Sequence, residues 1–206
     1  MDGNPVEKTG FHGVDIQNIL RGGLPRTDPE LRSLYTYDAQ GNLVEASENG
    51  TDYHYTHDTE GRVLSKRAWG KILYENHYDA CGYRDSITEK DKVTNFVYQG
   101  GMLLHELDEE KNPARHYVLG NEYIGLDNNY YLTDEQGSVR YVLDAAGNVQ
   151  NDYRYDAFGQ RIAGHENIPN RLRYNAQIED DLTGLYYLRA RYYNTGIGRF
   201  TQEDVI

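Results

Sequence analysis

The sequence has one cysteine, Cys81, one tryptophan, two methionines and five prolines in 206 residues. A single thiol excludes an internal disulfide, so the fold rests on packing and hydrogen bonds, and no motif around Cys81 marks it as reactive. No apolar run approaches the roughly 20 residues of a membrane-spanning helix, and the opening MDGNPVEKTG lacks the basic and apolar regions of a signal peptide. Basic charge is short as well: 21 Lys and Arg stand against 33 Asp and Glu, a net charge of −12. That field repels nucleic acid and anionic lipid unless a local patch overrides it. The nearest thing to a patch, Arg171, Arg173, Arg189, Arg191 and Arg199, is spread through strand-like sequence and interleaved with acids. No Ser, Cys or Lys stands in a nucleophile motif, and no glycine loop has a phosphate-cradling form. His54 and His57 are three apart in a strand and point to opposite faces; His77, His105, His116 and His165 lack ligand spacing. The acidic stretch DEEKN, residues 108–112, reads as a charged hairpin tip rather than a Ca²⁺ loop. These absences predict no catalysis, no cofactor and no metal.

What is abundant is tyrosine, 20 residues, and glycine, 21. Tyrosine suits a pleated surface, lying flat on its neighbours while its hydroxyl stays wet. Gly41, Gly61, Gly82 and Gly101 recur at spacings of 20, 21 and 19 residues, each closing a related unit such as YTYDAQGNLV or YHYTHDTEGRVL. One period holds two strands of about 5–6 residues and two turns, so the unit is a hairpin. Tyr35 and Tyr37, Tyr53 and Tyr55, and Tyr153 and Tyr155 are two apart, which puts each pair on one face as an aromatic ladder. Asp38, Asp58 and Asp79 open D-x-x-G corners, where a carboxylate can accept the amide two residues on and glycine can take the left-handed position. Later corners tighten the spacing: Asp134 with Gly137, Asp144 with Gly147, Asp156 with Gly159. A carboxylate repeated at solvent-facing tips reads as architecture, with a near-normal pKa, and not as one member of an acid/base pair.

The first 33 residues differ in texture. Ile16, Ile19 and Leu20 at helical spacing, with Asp15 to cap and Gly22-Gly23 to stop, predict a short helix. At the other end, GLYYLRARYY, residues 184–193, is mixed on both faces, which excludes a simple one-sided edge strand.

The stretches YLTDEQGSVRYVLDAAGNV, YRYDAFGQR and RYNAQIEDDLTGLYYLRARYYNTGIGRFTQED closely resemble the RHS-repeat-associated core, and the preceding 20-residue units resemble its YD repeats. The resemblance covers about residues 34–206. It divides the chain into an N-terminal segment (1–33), YD-repeat hairpins (34–116) and the core (117–206). It singles out the core motif residues Gly184, Tyr186, Tyr187, Arg189, Arg191, Tyr192, Tyr193, Gly198, Arg199, Phe200 and Asp204.

Members of this family, among them bacterial Rhs and wall-associated polymorphic toxins, the C component of Tc toxins and the teneurins, wind YD hairpins into a spiral β-shell around a hollow. In the toxins that hollow holds a C-terminal toxin domain. The resemblance implies a structural shell segment, secreted or at the cell surface, whose partners are a toxin domain and other parts of a longer shell. The family's self-cleavage chemistry follows GRFTQED, so it maps onto no residue here, and the chain reads as a truncated form, a natural remnant or one piece of a longer protein. The expected fold is all-β: a curved antiparallel sheet of about 12 to 14 consecutive hairpin strands with a short N-terminal helical segment. The alternative is a binding module presenting its tyrosine face to a carbohydrate or cell-surface ligand, with homo-oligomers formed through free sheet edges.

Overall fold

A computed structural model describes residues 34–48 and 50–202; the expected N-terminal helix and Asp204 lie outside them. Alternating inward and outward side chains and a turn every few residues leave the backbone one economical solution, in which each strand pairs antiparallel with the next. Fourteen strands do so in strict sequence order. They are β1 (Leu34–Tyr37), β2 (Leu43–Glu48), β3 (Thr51–His57), β4 (Val63–Ala68), β5 (Lys71–Tyr78), β6 (Arg84–Glu89) and β7 (Lys92–Gln99). The sheet continues through β8 (Met102–Leu107), β9 (Pro113–Leu119), β10 (Tyr123–Leu126), β11 (Asn129–Thr133), β12 (Val139–Leu143), β13 (Val149–Tyr155) and β14 (Arg161–Glu166). The all-β, hairpin-after-hairpin expectation holds.

The last strands do not extend this sheet. β15 (Ile178–Glu179), β16 (Tyr186–Leu188), β17 (Arg191–Asn194) and β18 (Arg199–Phe200) form a second, four-stranded sheet. The break is made by the Asn151 side chain. The Asn151 carboxamide oxygen accepts the Asn167 and Ile168 amides at 2.9 and 3.0 Å and its nitrogen donates to the Ile168 carbonyl at 2.8 Å. The Asn167 amide still donates to Gln150 O at 3.0 Å, but the Ile168 amide and carbonyl are taken by the Asn151 side chain and Pro169 cannot donate, so the pairing of β13 with β14 ends here.

The small sheet packs on the inner face of the large one. Tyr35, Tyr55, Tyr74, Ile87, Phe96, Leu103, Tyr117, Val139 and Tyr153 from the large sheet share one buried cluster with Leu172, Ile178, Leu185, Tyr187 and Tyr192. Each such side chain contributes about 1.5–3 kcal/mol on burial. Curvature follows from two backbone bonds: the Leu43 amide donates to Thr201 O at 3.2 Å and the Val139 amide to Arg173 O at 2.9 Å. β2 and β12 are ten strands apart, about 48 Å in a flat sheet at about 4.8 Å per strand. Both reach one small subdomain, so the strip must curl around it. The sheet does not close, since β1 and β14 have no strand beyond them among the described residues.

Candidate functional site

The corners come first, because they set the path of the strip. At Asp38, Asp58, Asp79, Asp134, Asp144 and Asp156 one carboxylate oxygen accepts the amides two and four residues on, at 2.8–3.0 Å. The glycine amide returns to the aspartate carbonyl, and Gly41, Gly61, Gly82, Gly137, Gly147 and Gly159 have φ of 78° to 84°. The hairpin tip expected at DEEKN is a further corner of this kind: the Asn112 amide donates to Asp108 Oδ1 at 2.7 Å, and Lys111 occupies the glycine position at φ 65°. The Asp-x-x-Lys spacing was its signal. Two corner carboxylates depart from the near-normal pKa expected of them. Burial alone would raise Asp38, but the Asn42 side chain and the Asn42 and Gln40 amides outweigh it and hold the pKa below the ordinary value. The Asn148 side chain and amide do the same to Asp144.

The tyrosine ladder faces inward. Tyr35, Tyr55, Tyr74, Tyr117 and Tyr153 are buried beneath the small sheet, and Tyr153 stacks on Tyr155 with centroids 6.2 Å apart. A face so covered offers no open platform, so the tyrosine-face binding module gains no support from the geometry.

Between the two sheets runs a seam of buried ion pairs centred on three arginines. Arg84 is fully buried and forks onto Asp180, Nη1 to Oδ2 and Nη2 to Oδ1, both at 2.7 Å. Nη1 also donates to the Tyr192 hydroxyl at 2.7 Å, and the guanidinium lies 4.4 Å from the centre of the Tyr187 ring. Arg171 reaches Glu89 at 2.9 Å and Glu106 at 3.4 Å. Glu106, itself buried, accepts from Tyr117 and Arg115 as well. Arg173 pairs with Glu179 at 2.8 Å and Glu166 at 3.0 Å, and Tyr153 donates to Glu166 at 2.6 Å. Burial first, then Glu166, pushes the Tyr153 hydroxyl up to about 12. Burial would raise Glu166, but Tyr153, Arg173 and Arg161 outweigh it and lower its pKa. Thus Arg171 and Arg173, which the sequence shows interleaved with acids, are interior ligands of carboxylates.

Arg84 did carry a signal. It stands two residues after its corner glycine, where Leu43, Val63 and Val139 supply apolar core. A charge there is out of keeping with those three, although Arg161 at the same place after Gly159 is exposed.

The core motif residues gather at this seam or beside it. Tyr186 donates to Glu179 at 3.0 Å, and the Tyr187 hydroxyl accepts the Arg84 amide at 2.8 Å. Gly184, at φ 66°, donates its amide to Asp180 O. Arg189, at φ 64°, reaches over to Gly101 O at 2.8 Å. Farther out, Arg191 covers the Phe200 ring at 3.9 Å, Tyr193 donates to Phe158 O at 3.1 Å, and Gly198 abuts the Phe158 ring. Arg199 pairs with Asn194 across β17 and β18. As the mixed faces of GLYYLRARYY require, β16 lies between two neighbours with Tyr186 and Tyr187 both buried.

The family model described as the teneurin YD-shell matches residues 121–206. The chain is 32% identical over 182 residues to the tRNA nuclease WapA of Bacillus subtilis (strain 168), covering 82% of this chain and 8% of that relative. This chain is an RHS/YD-shell protein. The YD-shell chain is also 34% identical over 214 residues to double-stranded DNA deaminase toxin A of Burkholderia cenocepacia (strain H111), covering 84% of itself and 15% of that protein. Its fold is shared with the Photorhabdus luminescens Tc holotoxin pore, with a TM-score of 0.58 at 16% identity over 84% of this chain and 12% of that one. It therefore spans only 8–15% of the length of these curated relatives. Among the described residues no three His, Cys, Asp or Glu side chains converge as a metal cage, and no helix is long and apolar enough to cross a membrane.

Proposed function

We propose that this chain is wall and cap of a toxin-encapsulating or toxin-delivery shell, with no catalysis of its own in this length. Residues 34–166 supply the hairpins of the wall, and residues 167–202 supply the cap that folds onto the wall's inner face. The observation that carries this reading is the buried seam, whose carboxylates are committed to guanidinium or tyrosine partners and whose arginines tie the cap to strands far apart along the strip. Such an arrangement holds a curved wall in shape. The names of the two curated relatives, a nuclease and a deaminase toxin, support a toxin domain elsewhere in the same polypeptide as the enclosed partner. The shell then acts outside the producing cell or at its surface, and the corner aspartates and glycines serve it as architecture.

The test is the intact mass and protease resistance of the native gene product, captured with an antibody against residues 117–206. A product longer than this chain, whose additional C-terminal domain resists protease until the shell is denatured, is the expected result. A product of 206 residues alone, or one whose extra domain is digested at the rate of free cargo, would sink the encapsulation reading.

A further inference from the structure

Two histidines that are 11 residues apart and lack ligand spacing along the chain meet across the sheet. His105 on β8 is directly opposite His116 on β9, and their ring centroids are 4.8 Å apart at 32° between planes. Their neighbours Glu106 and Tyr117 point to the buried face, so both imidazoles stand on the outer one. Neither ring is paired with a carboxylate, and His105 Nδ1 is shut off from solvent with no hydrogen-bond partner. Val97 on β7 borders the pair on one side. On the other, Asp127 is tied to the His116 backbone through Oδ1 at 2.9 Å and through its own amide at 2.7 Å.

We propose that this outer face of β8 and β9 carries a two-histidine chelate for a late first-row divalent cation, Cu²⁺, Ni²⁺ or Zn²⁺, with water completing the coordination. The separation fits. Metal–nitrogen bonds of about 2.0–2.1 Å place two imidazole centroids about 4.5–5.3 Å apart for bond angles between square-planar and tetrahedral. Neutral imidazole is the ligand type these cations favour, and two rings held on paired strands lose little freedom on binding. A chain of net charge −12 raises the local concentration of cations at such a face. The exposed His116 ring can turn about its χ2 bond to direct its nitrogen at the ion.

The experiment titrates the full chain with Cu²⁺ alone at about pH 7.5, where imidazole is neutral, following heat of binding and the nitrogen hyperfine structure of the Cu²⁺ electron paramagnetic resonance spectrum. Saturable binding of one ion with two coordinated nitrogens is expected. His105→Gln and His116→Gln should each weaken it at least tenfold and remove one nitrogen, while His77→Gln on β5 leaves it unchanged. Circular dichroism melts establish that each variant is folded. Absence of saturable binding, or equal affinity in the two pair variants and the parent, would overturn the assignment.

Discussion

Removing one partner of the Arg84–Asp180 pair should unfold the chain more readily than removing both. Asp180→Leu leaves a guanidinium with no exposed surface and only the neutral Tyr192 and Asn76 oxygens as partners, at a cost of about 3–5 kcal/mol. Arg84→Leu is milder, about 2–4 kcal/mol. It restores the residue type found at Leu43 and Leu103, and Asp180 keeps Arg171 Nη1 at 3.9 Å. The Asn76 carboxamide also still holds the Tyr192 hydroxyl, at 2.9 Å. The double leucine variant carries no orphaned charge and should lie within about 2 kcal/mol of the parent, because a buried pair recovers little more than its desolvation cost. Arg84 Nε, buried without a hydrogen-bond partner, weighs in the same direction. Even at their low ends the single losses add to about 5 kcal/mol, so the cycle should show a coupling of about 3 kcal/mol. Urea unfolding followed by near-ultraviolet tyrosine circular dichroism measures it; Trp69 is a poor reporter at 73% exposure. Additive losses, or single variants each within about 1 kcal/mol of the parent, would refute a buried, mutually dependent pair.

Other consequences are open to the same assay. Gly147→Ala meets open space at φ 84° and should cost about 1–2 kcal/mol, the left-handed penalty alone. Gly159→Ala has the same backbone but a Cβ that overlaps the Tyr174 ring, so it should cost at least about 1 kcal/mol more; equal midpoints would remove the packing argument. Lys111→Gly relieves a left-handed lysine at the Asp108 corner and should stabilise the chain by about 0.5–1 kcal/mol, and a lower midpoint would argue against that corner geometry. On the alkaline side, Tyr153 titrates near 12 in the fold against 10.0 unfolded, so its contribution is whole below pH 10 and is lost as pH rises towards 12. That amounts to at most about 2.7 kcal/mol at about 1.36 kcal/mol per unit. Glu166 has the opposite sign: its pKa lies below the ordinary 4.5, so its contribution is whole above pH 4.5 and is lost as pH falls below that value. Urea midpoints against pH should show both limbs, with Tyr153→Phe making the alkaline one shallower by one group's share, since Tyr55, Tyr74, Tyr117 and other buried tyrosines are also pushed up.

The strip was legible because its signals are local. A Tyr two residues from a Tyr, an Asp three residues before a Gly and a period near 20 specify strand, corner and hairpin without reference to anything distant. The cap was legible only as a motif. Arg171 and Arg173 alternate with Leu172 in a strand-like stretch interleaved with acids. Their burial depends on Glu89, Glu106 and Glu166, which no local pattern ties to them. The boundary between sheets depended on Asn151 reaching residues 167 and 168, again a long-range event. His105 and His116 are brought together by the register of β8 with β9, which the intervening Asp108 corner fixes.

A sheet built of near copies faces a problem that a unique core does not: the cap could settle one hairpin along and still find tyrosines and aliphatics to cover. Apolar packing discriminates weakly between such placements, since Leu43, Val63 and Val139 fill equivalent positions after their corners. Arg84 is the residue that breaks the equivalence. A slip that set Asp180 over Val63 would bury a carboxylate against an aliphatic side chain and strand Arg84 elsewhere, each uncompensated charge costing several kcal/mol. Glu106 adds a second condition, because it must meet Arg171 at the same time. Two charged contacts at fixed separation along the strip admit one register. The seam thus contributes little net stability in the correct placement and a large penalty in every shifted one, which is how a repetitive wall can hold its cap in a single position.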